Sequence, residues 1–116
     1  MYNFEKLEVY QRGLDIVDDI YIVTKKYPKE ELFATVNQLR RAALSIPLNI
    51  AEGSGRSKKD FAHFLNMART SAFECVALLE ISLRQNFVEK NNHEQLNAKI
   101  EIEIKMISKL RASISN

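Results

Sequence analysis

Gln38-Leu39-Arg40-Arg41-Ala42-Ala43-Leu44-Ser45-Ile46-Pro47-Leu48-Asn49-Ile50-Ala51-Glu52-Gly53-Ser54-Gly55-Arg56 decides how this chain is read. Leu39, Ala43, Ile46 and Ile50 recur in steps of four and three, the spacing of one face of an α-helix. Pro47 falls inside that spacing, and a proline there removes one backbone hydrogen bond and crowds the preceding turn. The stretch therefore predicts a helix kinked near Leu44 to Pro47 that resumes to about Glu52. Gly53 or Gly55 is expected to supply the left-handed residue that ends it. A new helix start follows at once, with Ser57 as cap and Asp60 three residues later.

Working outward, the second helix is expected to begin near Lys29, with Glu30 and Glu31 at its positive end and Leu32 and Val36 extending the core stripe. Pro28 separates it from a first helix running from about Glu5 or Leu7 to Tyr27. That first helix carries two adjacent stripes. Leu7, Tyr10, Leu14, Val17, Tyr21 and Thr24 form a heptad stripe expected to face a core. Val9, Gly13, Ile16, Ile20, Val23 and Tyr27 form the other, and Glu8, Asp15, Asp18 and Asp19 form the solvent arc. The third helix, from Ser57 to near Asn86, aligns Phe61, Phe64 or Leu65, Ala68, Ala72, Cys75, Leu79 and Leu83. Between Ala72 and Leu83 it is apolar around most of its circumference, which implies burial on more than one side. The fourth is expected from Asn92, with Gln95 as cap partner. It carries Leu96, Ile100, Ile104 or Glu103, Ile107, Leu110 and Ile114. Ile100-Glu101-Ile102-Glu103-Ile104-Lys105 also alternates with period two, as a strand would, but a strand here has no convincing partner in the chain.

Length and composition agree with this reading. The 116 residues suit one domain, 1–116, with one core. Only three Gly and two Pro leave few of the turns that a β-sandwich needs. Four amphipathic helices with short connections give an all-α, antiparallel up-down four-helix bundle. Four short helices cannot cover every apolar face, so copies are expected to associate, with Val9, Ile16, Ile20, Phe73, Ile81 and Ile102 at the interface. A net charge of +2 excludes a histone-like binder but permits a local basic patch. The single Cys75 cannot form an intrachain disulfide, which points to a reducing compartment. The N-terminal residues lack the apolar run of a signal peptide, and no apolar stretch is long enough to span a membrane. A cytoplasmic location is the expectation.

With the helices placed, the chain resembles the four-helix-bundle family of proteins encoded in intervening sequences of large-subunit ribosomal RNA. Phe4-Glu5-Lys6-Leu7-Glu8-Val9-Tyr10-Gln11 resembles the family's opening, where Trp is common in place of Tyr10. Pro28-Lys29-Glu30-Glu31-Leu32-Phe33 resembles the start of its second helix. The stretch from Gln38 to Arg56 resembles its hallmark, nearly intact, and Phe64-Leu65 through Arg69-Thr70-Ser71-Ala72-Phe73-Glu74 continues it. Phe33-Ala34-Thr35-Val36 departs from the Tyr-Gly-Leu that members often carry, and the last helix is generic. The resemblance implies a bundle that assembles as a five-membered ring, with no enzyme activity. It also implies kinship with the accessory variability protein of diversity-generating retroelements, a basic pentamer that associates with a reverse transcriptase and nucleic acid.

The candidate nucleic-acid-binding residues are Arg40, Arg41, Arg56, Lys58, Lys59 and Arg69. Arg56, Lys58 and Lys59 flank the start of the third helix, whose free amides and dipole already favour phosphate. Cations there would contact an RNA or DNA backbone without reading sequence, and five-fold repetition would gather them into a ring. The alternative is a solvated turn, with Arg40 or Arg41 paired to Glu52 or to acids of the first helix. Gly53-Ser54-Gly55-Arg56-Ser57 lacks the Gly-Lys-Ser/Thr ending of a phosphate loop. Asp60 and His63 have the spacing of one metal-binding pair, but a di-iron bundle needs a second, so no metal and no cofactor is expected. His93 reads as an early-helix residue. Cys75 lies in an apolar run that raises its pKa, and Ser45 and Ser54 have no partner base. Glu74 or Glu80 is expected to pack against an arginine such as Arg40 or Arg69. Asn49 is expected to satisfy backbone groups freed by Pro47. No catalytic residue emerges. The sequence thus favours a non-enzymatic, homo-oligomeric accessory protein on RNA or a ribonucleoprotein. The alternative is a protein–protein adaptor, for example to a reverse transcriptase or another polymerase, without nucleic-acid contact.

Overall fold

Ser57 sets the frame. Its hydroxyl accepts the Asp60 N–H at 3.2 Å, satisfying one of the unpaired donors that every helix start exposes. From there the longest helix runs without interruption. The computed structural model describes residues 2–115, and these form four α-helices and no strand: α1 (Glu8–Thr24), α2 (Asn37–Ser54), α3 (Lys58–Arg84) and α4 (Lys90–Ile114). Short 3₁₀ turns at Asn3–Lys6 and Lys29–Glu31 precede α1 and the α2 region, and a π turn at Leu32–Val36 leads into α2. Each helix packs on its neighbour in the chain, and α1 also meets α4, closing an antiparallel four-helix bundle about 44 Å long and 21 Å across. The alternating stretch 100–105 lies wholly within α4.

The core is built from helical stripes. Ile16 and Ile20 of α1, Leu39, Ile46 and Ile50 of α2, Leu65 and Leu79 of α3, and Ile100 and Ile107 of α4 are all fully enclosed. Each contributes roughly 1.5–3 kcal/mol by leaving water. In α1 the stripe from Val9 to Tyr27 is the buried one, while Leu14 of the heptad stripe is exposed. Helix α1 also ends at Thr24, earlier than expected. Tyr27 is nonetheless buried, packed on Phe87 with ring centroids 5.6 Å apart.

Several boundaries depart from the sequence expectation. The second helical segment does not start as regular helix at Lys29, and Leu32 is exposed rather than in the core. The π turn spreads each rotation over more residues, so Leu32 leaves the face that Val36 and Leu39 share. Pro47 lies inside an unbroken α2, and the kink expected there is not confirmed. Neither Gly53 nor Gly55 adopts positive φ. Gly53 is instead a close-approach residue, because a Cβ there would lie 2.5 Å from Cβ of Phe64. The left-handed residue is Asn86, φ 62°, after α3. There the Phe87 N–H donates to the Ser82 carbonyl at 2.9 Å and the Asn86 N–H to Leu83 at 3.1 Å, which closes the helix in a Schellman turn. Helix α4 starts at Lys90, two residues before the expected Asn92, with Glu89 as its cap residue and no side-chain cap bond.

Candidate nucleic-acid interface

The antiparallel arrangement sorts the six candidate cations by helix end. Arg56, Lys58 and Lys59 meet at the turn from α2 to α3. Arg40 and Arg41 sit near the other end of α2, about 24 Å away at 1.5 Å per residue. Arg69 lies part-way along α3. The structure therefore brings three of the six together and leaves the other three apart.

Local contacts separate them further. Arg56 reaches back one turn, donating to the Glu52 carboxylate at 2.6 Å and to its carbonyl at 3.3 Å, with its guanidinium over the Phe64 ring at 5.0 Å. Arg40 donates to the Thr24 hydroxyl at 3.0 Å and stacks over Tyr21 at 4.5 Å, so it ties α2 to α1. It is not paired with Glu52, which Arg56 occupies. Arg69 donates to the Ser108 hydroxyl at 3.4 Å and lies 6.0 Å over Phe73. Arg41 is exposed. Lys58 and Lys59 are exposed and have no ion pair among the described residues.

Sequence reasoning missed one cation at the α2–α3 end. Arg111, in the last turn of α4, donates to the Ala62 carbonyl at 3.3 Å. Its place follows from topology, since the end of α4 must return beside the start of α3. Two other expectations are corrected. Glu74 and Glu80 are exposed, and Glu80 faces Arg84 of its own helix at 3.5 Å. The buried carboxylate is Glu103 of α4. The spacing Leu96, Ile100, Glu103, Ile107 was the signal, with Ile104 half-buried beside it. Asn49 donates to the Ser45 carbonyl and hydroxyl at 2.7 and 2.8 Å, not to the carbonyl of Ala43 that Pro47 frees.

The expected interface residues also divide. Val9, Ile16 and Ile20 are only 4 %, 0 % and 0 % exposed in the single chain. They face its own core and have no surface to offer a second copy. Phe73, Ile81 and Ile102 are 51 %, 49 % and 45 % exposed and remain available.

Burial pushes the Cys75 thiol up to about 12, with the nearby Glu74 charge adding to the effect, so it stays protonated. Lys99 clamps α4 to α1 through Asp19 at 2.6 Å, a bond that raises the lysine's pKa. Among the described residues no group of three or more His, Cys, Asp or Glu could hold a metal ion. No helix among them is long and apolar enough to cross a membrane.

Comparison with known proteins places this geometry. The 23S rRNA-intervening sequence protein family matches residues 5–109. No curated protein matches. A crystal structure of a protein of unknown function from Bacteroides thetaiotaomicron, assigned to the S23 ribosomal protein family, is similar to this chain at 25 % identity. The likeness covers 89 % of this chain and 97 % of that one, with a TM-score of 0.82. The family match spans the hallmark stretch, the whole of α1, α2 and α3, and α4 as far as residue 109. The chain belongs to the 23S rRNA-intervening sequence protein family.

Proposed function

We propose that this chain is a non-enzymatic accessory protein that associates with RNA or a ribonucleoprotein through Arg56, Lys58 and Lys59 and works as a homo-oligomer. The placement of Lys58 and Lys59 carries the reading. They occupy the first turn of a 27-residue helix, where the dipole disfavours cations and folding alone favours acids. Two exposed lysines there add to the positive end of the helix instead of offsetting it, with Asp60 the only acid of that turn. Such an end attracts phosphate through charge, without base recognition. Arg111 brings a fourth positive charge to the same end. Arg40, Arg41 and Arg69 are secondary contributors, since they lie away from the start of α3.

Fluorescence anisotropy with a labelled single-stranded RNA and a labelled RNA duplex, over a salt series, tests this. Affinity is expected to fall linearly on a log–log plot. The double variant Lys58→Glu, Lys59→Glu is expected to reduce the slope by about 0.7–0.9 for each phosphate that is no longer neutralised. Absence of binding at low salt overturns the reading.

A second reading rests on the exposed Phe33, Phe73 and Ile81, which suit a protein partner such as a polymerase. In that case the lysine variants leave partner binding unchanged. A neighbouring reverse transcriptase gene favours the adaptor, and an insertion within a ribosomal RNA operon favours RNA.

A further inference from the structure

Glu103 occupies a core position of α4, between Ile100 and Ile107 on the buried face. It is fully enclosed, and neither carboxyl oxygen has a hydrogen-bond partner. An ionised carboxylate without donors is among the costliest groups an apolar interior can hold. Gly13 of α1 makes the room for it. A Cβ on Gly13 would lie 3.3 Å from Oε2 of Glu103, and 3.4 Å from both Ile46 Cγ2 and Pro47 Cβ of α2. Three helices thus converge where Gly13 has no side chain.

Pro47 brings a second irregularity to the same place. It has no amide hydrogen, so the carbonyl of Ala43, one turn earlier, loses its helical donor. Ala43 is fully buried, which keeps bulk water from replacing that donor. Asn49, the nearby side-chain amide, is committed to Ser45. The core therefore holds an acid that faces no donor and, one helix away, an acceptor that has lost its own. One proton on the acid answers both.

We propose that Glu103 keeps its proton in the folded chain and donates it to the Ala43 carbonyl. Gly13, Pro47 and Glu103 then form a single proton-binding site that fastens α4 to α1 and α2 and loosens when the proton leaves.

The surroundings agree. Burial is the main influence on Glu103 and pushes it up to about 8. Arg12 of α1 pulls it down and Glu8 pushes it up, and these two are themselves paired at 2.9 Å. Helix α2 brings the uncharged Ile46 and Pro47 to the same place. The buried titratable group of α3, Cys75, stays a neutral thiol. Because the folded value lies above the unfolded one of 4.5, the proton's contribution to stability is complete below about pH 4.5. It is lost progressively as pH rises towards 8.

The direct test is an NMR titration of the Glu103 side-chain carboxyl carbon in the full-length chain. A midpoint near 8 is expected. In Pro47→Ala the new amide takes the Ala43 carbonyl, and the midpoint is expected to fall by about one pH unit. In denaturant melts between pH 5.5 and 7.5, the unfolding equilibrium of the natural chain is expected to rise about a hundredfold more than that of Glu103→Gln. A midpoint near 4.5 overturns the proposal. A midpoint near 8 that Pro47→Ala does not move overturns the bond to Ala43. Should Glu103→Gln fail to fold, the titration of the natural chain still decides.

Discussion

Gly53 and Gly55 stand two residues apart and do different work, although the sequence invites one explanation for both. The Cβ that alanine would add at Gly53 meets Phe64 Cβ at 2.5 Å, with Phe61 Cδ1 and Phe64 Cγ at 3.1 Å. Phe64 Cβ is fixed to its backbone, so no rotamer change relieves the clash and α2 must move off α3. Overpacking of this kind costs on the order of 1–3 kcal/mol, against a helix-propensity gain near 1 kcal/mol. Gly53→Ala is therefore expected to lower the urea midpoint. At Gly55 a Cβ meets nothing within 4 Å, and φ is an ordinary −91°. Gly55→Ala is expected to leave the midpoint unchanged or raise stability by up to about 1 kcal/mol. Equal losses at both positions would show that helix ending, not close approach, is their shared role. The difference is illegible in the chain because a turn glycine and a contact glycine look alike until the partner helix is placed. Glu103 was only half legible, standing as the alternative to Ile104 on the core stripe of the fourth helix, for a related reason. Its spacing marks a core position, but its chemistry argues for solvent, and the missing side chain of Gly13 settles the matter from another helix.

At the scale of elements, caps and stripes were legible where local chemistry decides them. Ser57 starts α3 where its hydroxyl reaches Asp60, and the spacing of Leu65, Ala68, Ala72, Cys75 and Leu79 names its buried face. The entry to α2 was not legible, because a π turn changes which residues share a face without changing their types. The choice between the two stripes of α1 was equally hidden. Both have helical spacing, and only the position of α2 and α4 determines that Val9, Ile16 and Ile20 turn inward. The end of α3 carries a testable feature. Asn86 holds φ 62° in the Schellman turn. Asparagine tolerates this region, glycine does so freely, and a β-branched residue is strained by roughly 1–2 kcal/mol. Thermal melts are expected to rank Asn86→Gly at or above the natural chain and Asn86→Val below it. The same order should appear in hydrogen exchange of the Phe87 amide, which spans the turn to Ser82. Loss of stability in Asn86→Gly would mean that the asparagine side chain, rather than its backbone, closes the helix.

At the scale of the molecule, what a single chain leaves uncovered decides how it works. A bundle 21 Å across encloses one core stripe per helix, yet apolar side chains also point outward. On α3, Phe73, Ala77 and Ile81 recur every four residues on an exposed face. On α2, Leu44 and Leu48 do the same, and Ile102 lies outward on α4. Separated apolar side chains are ordinary on a surface, but a stripe along a helix 27 residues long is the geometry of packing against another helix. Association would also gather the lysines of each α3 start into one positive surface, which a net charge of +2 per chain does not otherwise provide. Two classes of substitution separate assembly from folding. Phe73→Asp with Ile81→Asp places charge on the outward stripe, and light scattering is expected to show dissociation to single chains that keep their helical circular dichroism. Ile16→Asp or Ile20→Asp places an unpaired charge in the enclosed core, where it is expected to cost several kcal/mol and abolish the fold. The natural chain should show a mass that is a multiple of one subunit, five by family resemblance, and should lose it on dilution. A natural chain that scatters as a folded monomer at every concentration would leave the α3 stripe without a homotypic partner. The lysines of a lone bundle would then have to bind RNA singly, with a salt dependence no steeper than the few phosphates one helix start can reach.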